Sequence, residues 1–330
     1  MCRQQIQKRE NPMKIAILDD WTHDAAASAG WHRLGPEHDV TIYTDTVTGQ
    51  ALIDRLEGVE IICAMRERTT LSRDVIARLP GLRAIITSGM RNAAIDLNAC
   101  KEAGIVVSGT ESPGHATAEL AMTLIGALAR QIVPNANSMT NGGWQISAGR
   151  DLKGARLGIL GLGRLGTAVA KLGQAYGMEV QAWSQNLTRD RAGEEGVKYC
   201  EKDEFFGTSD FISVHLKLSD RVVGLVGAPE LALMKPTSFL INTSRAPILD
   251  QPALIAALKE GRIAGAALDV YETEPLAESD PLRQVPNLLL TPHIGYVTRE
   301  TMQVFYGQML EGVEAFVAGD PVRLIDIPPG

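Results

Sequence analysis

Residues 156–166, RLGILGLGRLG, constrain the fold of this chain more than any other stretch. The segment starts as a short apolar strand and continues into a Gly-x-Gly-x-x-Gly turn. Beyond the turn, apolar residues recur at the spacing of an amphipathic helix, at Leu165, Ala168, Val169, Leu172 and Tyr176. A glycine triplet alone is often only a loop, but between a buried strand and a helix it indicates a βαβ unit that binds a dinucleotide.

The three glycines of this turn have separate expected roles. Gly161 would allow the tight turn, Gly163 would let the backbone approach a pyrophosphate, and Gly166 would let the helix pack closely on its strand. The pyrophosphate would then lie at the positive N-terminal end of the helix. We therefore predict cofactor contacts at Gly161, Gly163, Arg164, Leu165 and Gly166.

Short apolar strands alternate with helical segments on both sides of this turn, which predicts two parallel sheets covered by helices on both faces. A long helical stretch at 115–133 links the two regions, and a last apolar helix at 298–318 is expected to pack back on the first region. The predicted strands are 14–18, 40–43, 60–65, 83–88 and 105–108 in the first region, and 157–160, 178–183, 210–216, 238–244, 263–270 and 287–293 in the second.

This arrangement predicts a discontinuous first domain with a second domain inserted into it. The first twelve residues are polar and lack the apolar core of a secretory signal, so we treat them as an extension. The predicted ranges are 13–109 plus 297–330 for the first domain, which would bind substrate, 110–296 for the dinucleotide-binding domain, and 1–12 for the extension.

Composition excludes several classes of function. The net charge of −7 argues against nucleic acid or an acidic membrane surface as the main partner. The longest apolar run, 120–129, is too short to span a bilayer. The four cysteines are scattered without a CxxC pair, which is typical of reduced thiols and not of a metal site. We therefore predict a cytoplasmic protein that acts on a small molecule without a metal.

Three strands of the second region end in polar groups, where ligands of doubly wound sheets bind. Arg245, Glu274 and His293 follow successive strands. A histidine can transfer a proton near neutral pH, and a nearby carboxylate favours the charged form of that histidine. A guanidinium can bind the carboxylate of a substrate with two hydrogen bonds. Each residue alone has an ordinary structural explanation, but the three together favour proton-coupled hydride chemistry on a carbonyl group.

The sequence resembles the D-isomer-specific 2-hydroxyacid dehydrogenase family over nearly its whole length. The resemblance is carried by LKGARLGILGLGRLG, INTSRAPILDQPALIAALKEGRIAGAALDVYETEP and NLLLTPHIG. It implies a flavodoxin-like catalytic domain with an inserted Rossmann domain, usually in a homodimer. It also implies that Arg245 binds the substrate, that Glu274 orients and charges the histidine, and that His293 is the acid and base.

The resemblance extends to further residues of the site. On the cofactor side it implies contacts from His215, Thr243, Asp269 and Gly295, with Asp269 holding the nicotinamide carboxamide. Lys217 stands where a proline is common, and Ala246 where a glycine is usual. On the substrate side, TSGMRNAAIDL at 87–97 resembles the loop that binds the substrate carboxylate, although Arg91 replaces the second glycine and Ala93 an aspartate. The implied substrate contacts are Arg66, Gly89, Met90, Arg91 and Tyr296.

The choice between NAD and NADP is expected at the end of the strand at 178–183. NAD-specific Rossmann domains carry an acidic residue there, which binds the ribose hydroxyls. Here the position is Ser184, followed by Gln185. Arg189 and Arg191 are near enough in sequence to reach a phosphate, and the alternative is that they lie in a solvated loop. Because the repulsion of a 2′-phosphate is missing, we predict that both cofactors are used and that NADP is modestly preferred.

We therefore interpret the chain as an NAD(P)-dependent oxidoreductase that acts on a 2-ketoacid or D-2-hydroxyacid. Two alternatives remain at this point. One is a formate- or phosphite-oxidising member of the same fold, which the Glu at 274 disfavours because formate enzymes typically carry Gln there. The other is a nucleotide-sensing binding protein similar to the co-repressors that share this fold.

Overall fold

The computed structural model describes residues 12–326, so the extension predicted at 1–12 lies outside the described residues except for Pro12. The described chain separates into two compact units. We call 12–113 together with 298–326 the split unit, and 114–297 the inserted unit. Each unit contains one parallel β-sheet.

Twelve strands occur in the described residues, five in the split unit and seven in the inserted unit. They are β1 (Lys14–Ile17), β2 (Asp39–Ile42), β3 (Ile61–Ala64), β4 (Ala84–Thr87), β5 (Val106–Gly109), β6 (Arg156–Leu160), β7 (Glu179–Trp183), β8 (Lys198–Tyr199), β9 (Phe211–Val214), β10 (Phe239–Asn242), β11 (Gly265–Leu268) and β12 (Leu288–Leu290).

The helices of residues 12–326 connect these strands. They are α1 (Ala25–Ser28), α2 (Gly49–Arg55), α3 (Arg73–Ala77), α4 (Leu97–Glu102), α5 (His115–Ala129), α6 (Ile132–Thr140), α7 (Arg164–Ala175), α8 (Arg189–Glu194), α9 (Lys202–Thr208), α10 (Ala228–Leu233), α11 (Gln251–Lys259) and α12 (Arg299–Val317). Four 3₁₀ turns lie at Trp31–Leu34, Asp220–Val222, Ala246–Ile248 and Pro281–Gln284.

The sheet of the split unit has the strand order β2-β1-β3-β4-β5, and every pair is parallel. This is the flavodoxin-like order. Strands β3 and β4 are buried at every position, as expected for a parallel sheet covered on both faces. On one face α12 approaches β4 closely, since a Cβ on Gly312 would lie 3.1 Å from Ile86 Cγ2.

The sheet of the inserted unit has the order β12-β11-β10-β9-β6-β7-β8, again all parallel. Counted from β6 as the first strand, the order is that of a Rossmann sheet with one added strand. The direction of winding changes between β6 and β9, so the ligand crevice is expected at their carboxyl ends. The predicted fold class, two doubly wound parallel sheets of flavodoxin-like and Rossmann type, is confirmed.

The helical stretch predicted as one helix at 115–133 is two helices. The chain turns by 64° between α5 and α6, with Gln131 in the left-handed conformation. Pro134, just beyond the predicted end of that stretch at 133, is the third residue of α6. Proline is tolerated there because the N–H groups of a first helical turn have no acceptor within the helix. The apolar pattern continues through the turn, so periodicity alone does not reveal it.

No single helix of the described chain combines the length and the apolar character that crossing a membrane requires. Among the described helices, only α5 and α6 taken together have that length and apolar character, and they form a bent pair.

Candidate active site

The glycine turn of the inserted unit joins β6 to α7. Gly161 has a φ of +101°, where residues with a Cβ are strained. A Cβ on Gly166 would lie only 2.0 Å from Gly161 O, so glycine is needed for α7 to pack against the strand. Gly163 is exposed at the N-cap of α7, and a Cβ there would meet no atom within 4 Å. The open side of the turn is thus at the N terminus of α7, which favours an anion.

Two hydroxyl groups of the inserted unit are buried, one just after this turn and one at the carboxyl end of β10. Thr167 lies in the first turn of α7, and Thr243 follows β10. Neither hydroxyl oxygen has a hydrogen-bond partner among residues 12–326. Buried polar atoms are rarely left unpaired in native proteins. With the open turn, these hydroxyls fit a dinucleotide that accepts or donates hydrogen bonds at this crevice.

Arg164 and Leu165 are the first residues of α7. The Arg164 guanidinium lies against the backbone of Gly114, because a Cβ on Gly114 would be 2.5 Å from Arg164 Nη1. Leu165 is half-buried. Both residues therefore lie at the helix end to which the sequence assigned them.

The end of β7 carries no acidic side chain. Ser184 directly follows the strand, and its carbonyl accepts the Leu187 N–H at 3.1 Å. Gln185 donates through Nε2 to the Arg221 carbonyl at 3.2 Å. The two arginines that the sequence offered as phosphate ligands lie in α8 and are paired with carboxylates: Arg189 with Glu201 at 3.6 Å, and Arg191 with Glu194 and Glu195 at 3.2 and 2.8 Å.

His215 follows β9 and its side chain is largely enclosed. Its Nε2 lies 2.8 Å from the Ser213 hydroxyl, and its backbone N–H donates to Leu160 O at 2.8 Å. Burial lowers the pKa of His215 to about 4. The ring is therefore neutral at physiological pH, and its contribution is limited to packing and neutral hydrogen bonds.

His293 and Glu274 form a direct pair. His293 Nδ1 lies 2.6 Å from Glu274 Oε2, and the Tyr271 N–H donates to Glu274 Oε1 at 2.9 Å. Burial raises the pKa of the Glu274 carboxyl, but the bond and charge of His293, the Tyr271 N–H and the charge of Arg245 together hold it below its usual value. Glu274 is therefore ionised at neutral pH and keeps one ring nitrogen of His293 occupied.

Asp269 fixes the backbone around His293. Its Oδ1 accepts the Thr291 hydroxyl at 2.6 Å and the Ile294 N–H at 2.9 Å, and its Oδ2 accepts the Gly295 N–H at 2.8 Å. His293 itself has a φ of +52°, an uncommon conformation for a residue with a side chain. Burial raises the pKa of Asp269, and these bonds oppose that rise. The main contacts of Asp269 here are with the histidine loop.

Tyr271 ties the ends of two neighbouring strands together. Its buried hydroxyl lies 3.1 Å from Leu268 O, at the end of β11, and 2.8 Å from Thr291 O, just after β12. These carbonyls precede Asp269 and His293, so the hydroxyl fixes the spacing of the two segments that carry the acid–base pair. The Tyr296 ring packs edge-on to the His293 ring, with 5.5 Å between the ring centroids.

Arg245 lies in an extended segment after β10. Its carbonyl accepts a bond from the buried Asn242 amide at 3.0 Å, and its Nη1 donates to Ser244 O at 2.8 Å. Its charge acts on the Glu274 carboxyl, which places it in the same electrostatic environment as the pair. Because β10, β11 and β12 are neighbours, the structure brings Arg245, Glu274 and His293 to one edge of the sheet, as the sequence predicted.

Arg66 is held firmly in the split unit, just after β3. It has a φ of +51°. Its N–H donates to Ser88 Oγ at 2.8 Å, and its Nη1 to Ser88 O at 3.2 Å. Asn92 is buried and donates to both Arg66 O and Thr87 Oγ1. The arginine backbone is thus fixed on both sides.

The neighbouring loop, 89–91, presents backbone donors. Gly89 has a φ of +81°, and its N–H is already used by Thr110 Oγ1 at 2.8 Å. Met90 and Arg91 are exposed, and within the described part of the chain their N–H groups have no hydrogen-bond partner. Of the three loop residues that the resemblance assigns to the substrate, Met90 and Arg91 are the two whose N–H groups remain for a ligand.

Two residues that hold these segments in place were not identified in the sequence analysis. Asn92 lies in the loop at 87–97, between Arg91 and Ala93, the two positions at which this loop departs from the family pattern. Tyr271 lies between Asp269 and Glu274, and only its hydroxyl distinguishes it from a core aromatic. The signal available for both was a polar group in a segment otherwise expected to be buried.

Comparison with known proteins identifies the family. The model for the NAD-binding domain of D-isomer specific 2-hydroxyacid dehydrogenases matches residues 122–295. A glycerate dehydrogenase of Methylorubrum extorquens is 33% identical over 95% of this chain and 99% of its own length. A glyoxylate reductase of Aeropyrum pernix is 38% identical over 77% of this chain and 79% of its own.

A solved structure agrees with these relatives. The phosphoglycerate oxidoreductase of Vibrio cholerae O395 is 36% identical, covers 92% of this chain and 98% of its own, and superposes with a TM-score of 0.87. Sequence, fold and the arrangement of the strand ends point to the same group of proteins. This chain belongs to the D-isomer-specific 2-hydroxyacid dehydrogenase family and is an oxidoreductase that uses a nicotinamide cofactor.

Proposed function

We propose that the protein interconverts small 2-ketoacids and D-2-hydroxyacids, with His293 and Glu274 as the acid–base pair and Arg245 as the substrate-binding cation. The observation that carries this proposal is the 2.6 Å bond between His293 Nδ1 and an ionised Glu274. A carboxylate only accepts hydrogen bonds, so the hydrogen of this bond belongs to Nδ1. His293 Nε2 is therefore the nitrogen that exchanges a proton with substrate.

The reaction needs three contributions from the chain. A bound reduced nicotinamide supplies the hydride that the carbonyl carbon receives. Arg245 binds the substrate carboxylate with two hydrogen bonds and polarises the adjacent carbonyl. His293 Nε2 donates a proton to the carbonyl oxygen as negative charge develops there, and Glu274 orients the ring and offsets its positive charge. In the oxidation direction, the same nitrogen accepts the hydroxyl proton.

We also assign substrate binding to the first predicted domain, residues 13–109 plus 297–330, which contains most of the split unit, and dinucleotide binding to residues 110–296. The free N–H groups of Met90 and Arg91 support the first assignment, because consecutive backbone donors form an anion site. Arg66, held next to Gly89, adds a positive charge on the same loop cluster. Tyr296, edge-on to His293, is assigned to the substrate pocket of the inserted unit.

For the cofactor we propose NADP with modest preference over NAD. What supports this is the residue after β7, where Ser184 stands instead of an acid. A carboxylate there would repel a 2′-phosphate by several kcal/mol at contact distance and an effective dielectric of about 20. A serine hydroxyl offers about one neutral hydrogen bond, worth roughly 1 kcal/mol. The change Ser184→Asp should therefore shift the preference toward NAD.

We also propose that the protein is a homodimer and that α6 with the following loop forms the interface. Residues 132–146 contain no charged side chain, although 22% of the whole chain is charged. Trp144 is 71% exposed, and Ile132, Met139 and Ile146 are more than half exposed. The segment follows α5 within the inserted unit, and a second copy would cover its apolar side chains symmetrically. Sedimentation of a Trp144→Asp variant as a monomer would support this, and an unchanged mass would refute it.

The proposed location is the cytoplasm. Cys63, Cys100 and Cys200 are free thiols buried in the described residues, which suits a reducing compartment. Secretion of the intact protein in cell fractionation would contradict this placement.

The function is tested by turnover of a panel of 2-ketoacids, namely glyoxylate, hydroxypyruvate and phenylpyruvate, with NADH and with NADPH. The names of the M. extorquens and A. pernix relatives make the first two the expected substrates. Arg245→Lys is the matched variant, because it keeps the charge but loses the planar pair of donors. We expect it to raise KM and lower kcat. Unchanged saturation kinetics would show that Arg245 is only structural.

Formate and phosphite serve as the contrasting substrates, offered with NAD⁺ and with NADP⁺. Oxidation of either one in place of ketoacid reduction would favour the other chemistry of this fold. Nucleotide binding without turnover of any substrate would favour a nucleotide-sensing protein.

A further inference from the structure

The loop after β9 returns to the end of β7 and brings Arg221 there. Arg221 lies in the 3₁₀ turn Asp220–Val222. The Gln185 side chain donates to its carbonyl at 3.2 Å. The next residue, Val222, is buried in the same hydrophobic cluster as Trp183, the last residue of β7. The turn is therefore fixed beside the position where Rossmann domains bind the adenosine ribose.

Arg221 differs from the other arginines near this position. Arg189 and Arg191 are paired with glutamates, and Arg189 also lies over the Tyr199 ring. Arg221 is exposed, and within residues 12–326 its guanidinium has no ion pair. Its neighbour Asp220 is acidic, but successive side chains of a 3₁₀ turn project about 120° apart. The guanidinium is thus a charge that no carboxylate of the described chain neutralises.

The surroundings of Arg221 suit a phosphate. Residues 184–187, Ser-Gln-Asn-Leu, carry no charge, so nothing on that loop repels a dianion. A guanidinium can donate two parallel hydrogen bonds to phosphate oxygens. Lys217, earlier in the same loop, is also exposed and adds positive charge along the chain.

We propose that Arg221 is the residue that recognises the 2′-phosphate of NADP. This inference rests on the proposed function, since it requires that the inserted unit bind a nicotinamide dinucleotide. Gln185 holds the backbone of the turn, Ser184 leaves room and no repulsion, and Arg221 supplies the charge. The arginines of α8 are then not phosphate ligands, although they are closer to Ser184 in the sequence.

The test is calorimetric binding of two nucleotides that differ only in the group of interest. Adenosine 2′,5′-bisphosphate carries the 2′-phosphate, and 5′-AMP lacks it. The ratio of their dissociation constants isolates the 2′-phosphate from contacts to adenine and the 5′-phosphate. We compare the unmodified protein with Arg221→Ala and with Arg189→Ala, a matched control that removes the same charge from the paired arginine of α8.

Arg221→Ala should weaken binding of the bisphosphate by about tenfold or more, the loss of one charge-assisted hydrogen bond, and leave 5′-AMP within about twofold. Arg189→Ala should leave the ratio unchanged. Equal weakening of both nucleotides in Arg221→Ala would overturn the proposal, because the arginine would then contact the part they share. Unchanged binding of both nucleotides would overturn it as well.

Failure of the proposed function gives a different result. In that case the unmodified protein binds neither nucleotide nor NAD, which removes the basis of this inference as well. If NAD and 5′-AMP bind normally and only the effect of Arg221 is missing, the dehydrogenase assignment stands and the inference alone is wrong.

Discussion

His215 and His293 lie just beyond parallel strands of the same sheet, yet the structure gives them opposite properties. His215 directly follows β9, and its N–H donates to Leu160 O of the neighbouring strand. Its ring is enclosed and bonded to a serine hydroxyl, and burial lowers its pKa to about 4. His293 lies three residues beyond β12, outside the ladder, and its ring is bonded to the Glu274 carboxylate.

The difference shows what selects a histidine for acid–base work in this fold. Location at the carboxyl end of a strand is common to both and does not decide the role. His293 has an ionised carboxylate, Glu274, as its partner, whereas burial beside a neutral hydroxyl keeps His215 neutral. Proton transfer at neutral pH is therefore expected from one histidine only.

The backbone conformation of the two histidines differs as well. His293 is in the left-handed region, which costs a residue with a side chain roughly 1–2 kcal/mol. Three hydrogen bonds to the buried Asp269 carboxylate hold the residues on both sides of it. Strained residues that persist under such support are concentrated at functional sites. His215 needs no such support because it continues the regular strand.

The largest expected effect is that of His293→Ala. The variant loses the proton donor, so kcat for 2-ketoacid reduction should fall by about a hundredfold or more. Steady-state rates between pH 6 and 8 are the measurement, with cofactor binding by calorimetry as the control for folding. Rates near those of the unmodified protein across this range would show that His293 is not the acid.

The second prediction concerns stability and His215. The folded pKa of about 4 lies below the usual value near 6.5, so the unfolded chain binds more protons between these pH values. Stability should therefore fall as pH drops through this window, by about 2 kcal/mol between pH 7 and pH 5 from this group. His215→Gln keeps a polar group near Ser213 but does not titrate, and urea unfolding at both pH values should show a smaller loss. An identical loss in the variant would disprove the assignment.

Asp269→Asn is expected to have the third largest effect. The amide oxygen can still accept the Thr291 and Ile294 bonds, but the amide NH₂ then faces the Gly295 N–H, two donors against each other. Such an unmade bond costs about 1–3 kcal/mol, so kcat should fall about tenfold. The cofactor Kd, measured separately, should change little. A rise in Kd as large as the fall in kcat would show instead that Asp269 acts mainly by contacting the nicotinamide.

The sequence predicted the parts of this site that follow from strand order. Parallel sheets align their carboxyl ends, so Arg245, Glu274 and His293 could be placed together from the polar residues after three successive strands. The glycine turn was predictable because backbone sterics at Gly161 and Gly166 allow few alternatives. The pattern of strands was therefore enough to predict that these three residues lie together, without knowledge of side-chain geometry.

Other features depend on side-chain geometry that no pattern encodes. The bond between Asp269 and Gly295 and the bond between Asn92 and Arg66 each join residues that are far apart in the sequence. Asn92 also lies in an irregular loop. The pairing of Arg189 and Arg191 with glutamates depends on the chain forming α8 instead of a loop. The turn at Gln131 required a left-handed residue that is not glycine, which the apolar pattern concealed.

The smallest expected effect is that of Tyr271→Phe, which separates the two ways in which the loop of His293 is held. The ring packing is kept and only the hydroxyl is lost. Both carbonyls that it contacts retain another donor, since Leu268 O accepts the Thr291 N–H and Thr291 O accepts the His293 N–H, each at 3.0 Å. No buried acceptor is left unpaired, so the free energy of unfolding should fall by only about 1 kcal/mol.

The kinetic consequence of Tyr271→Phe follows from the same bonds. Asp269 still holds Thr291, Ile294 and Gly295, so His293 keeps its conformation for most of the time and kcat should fall by a few-fold at most, with KM unchanged. Urea unfolding and steady-state kinetics on the same preparation measure both quantities. If kcat instead falls as far as in Asp269→Asn, the hydroxyl is a main support of the histidine, and the carboxylate is not sufficient to hold it.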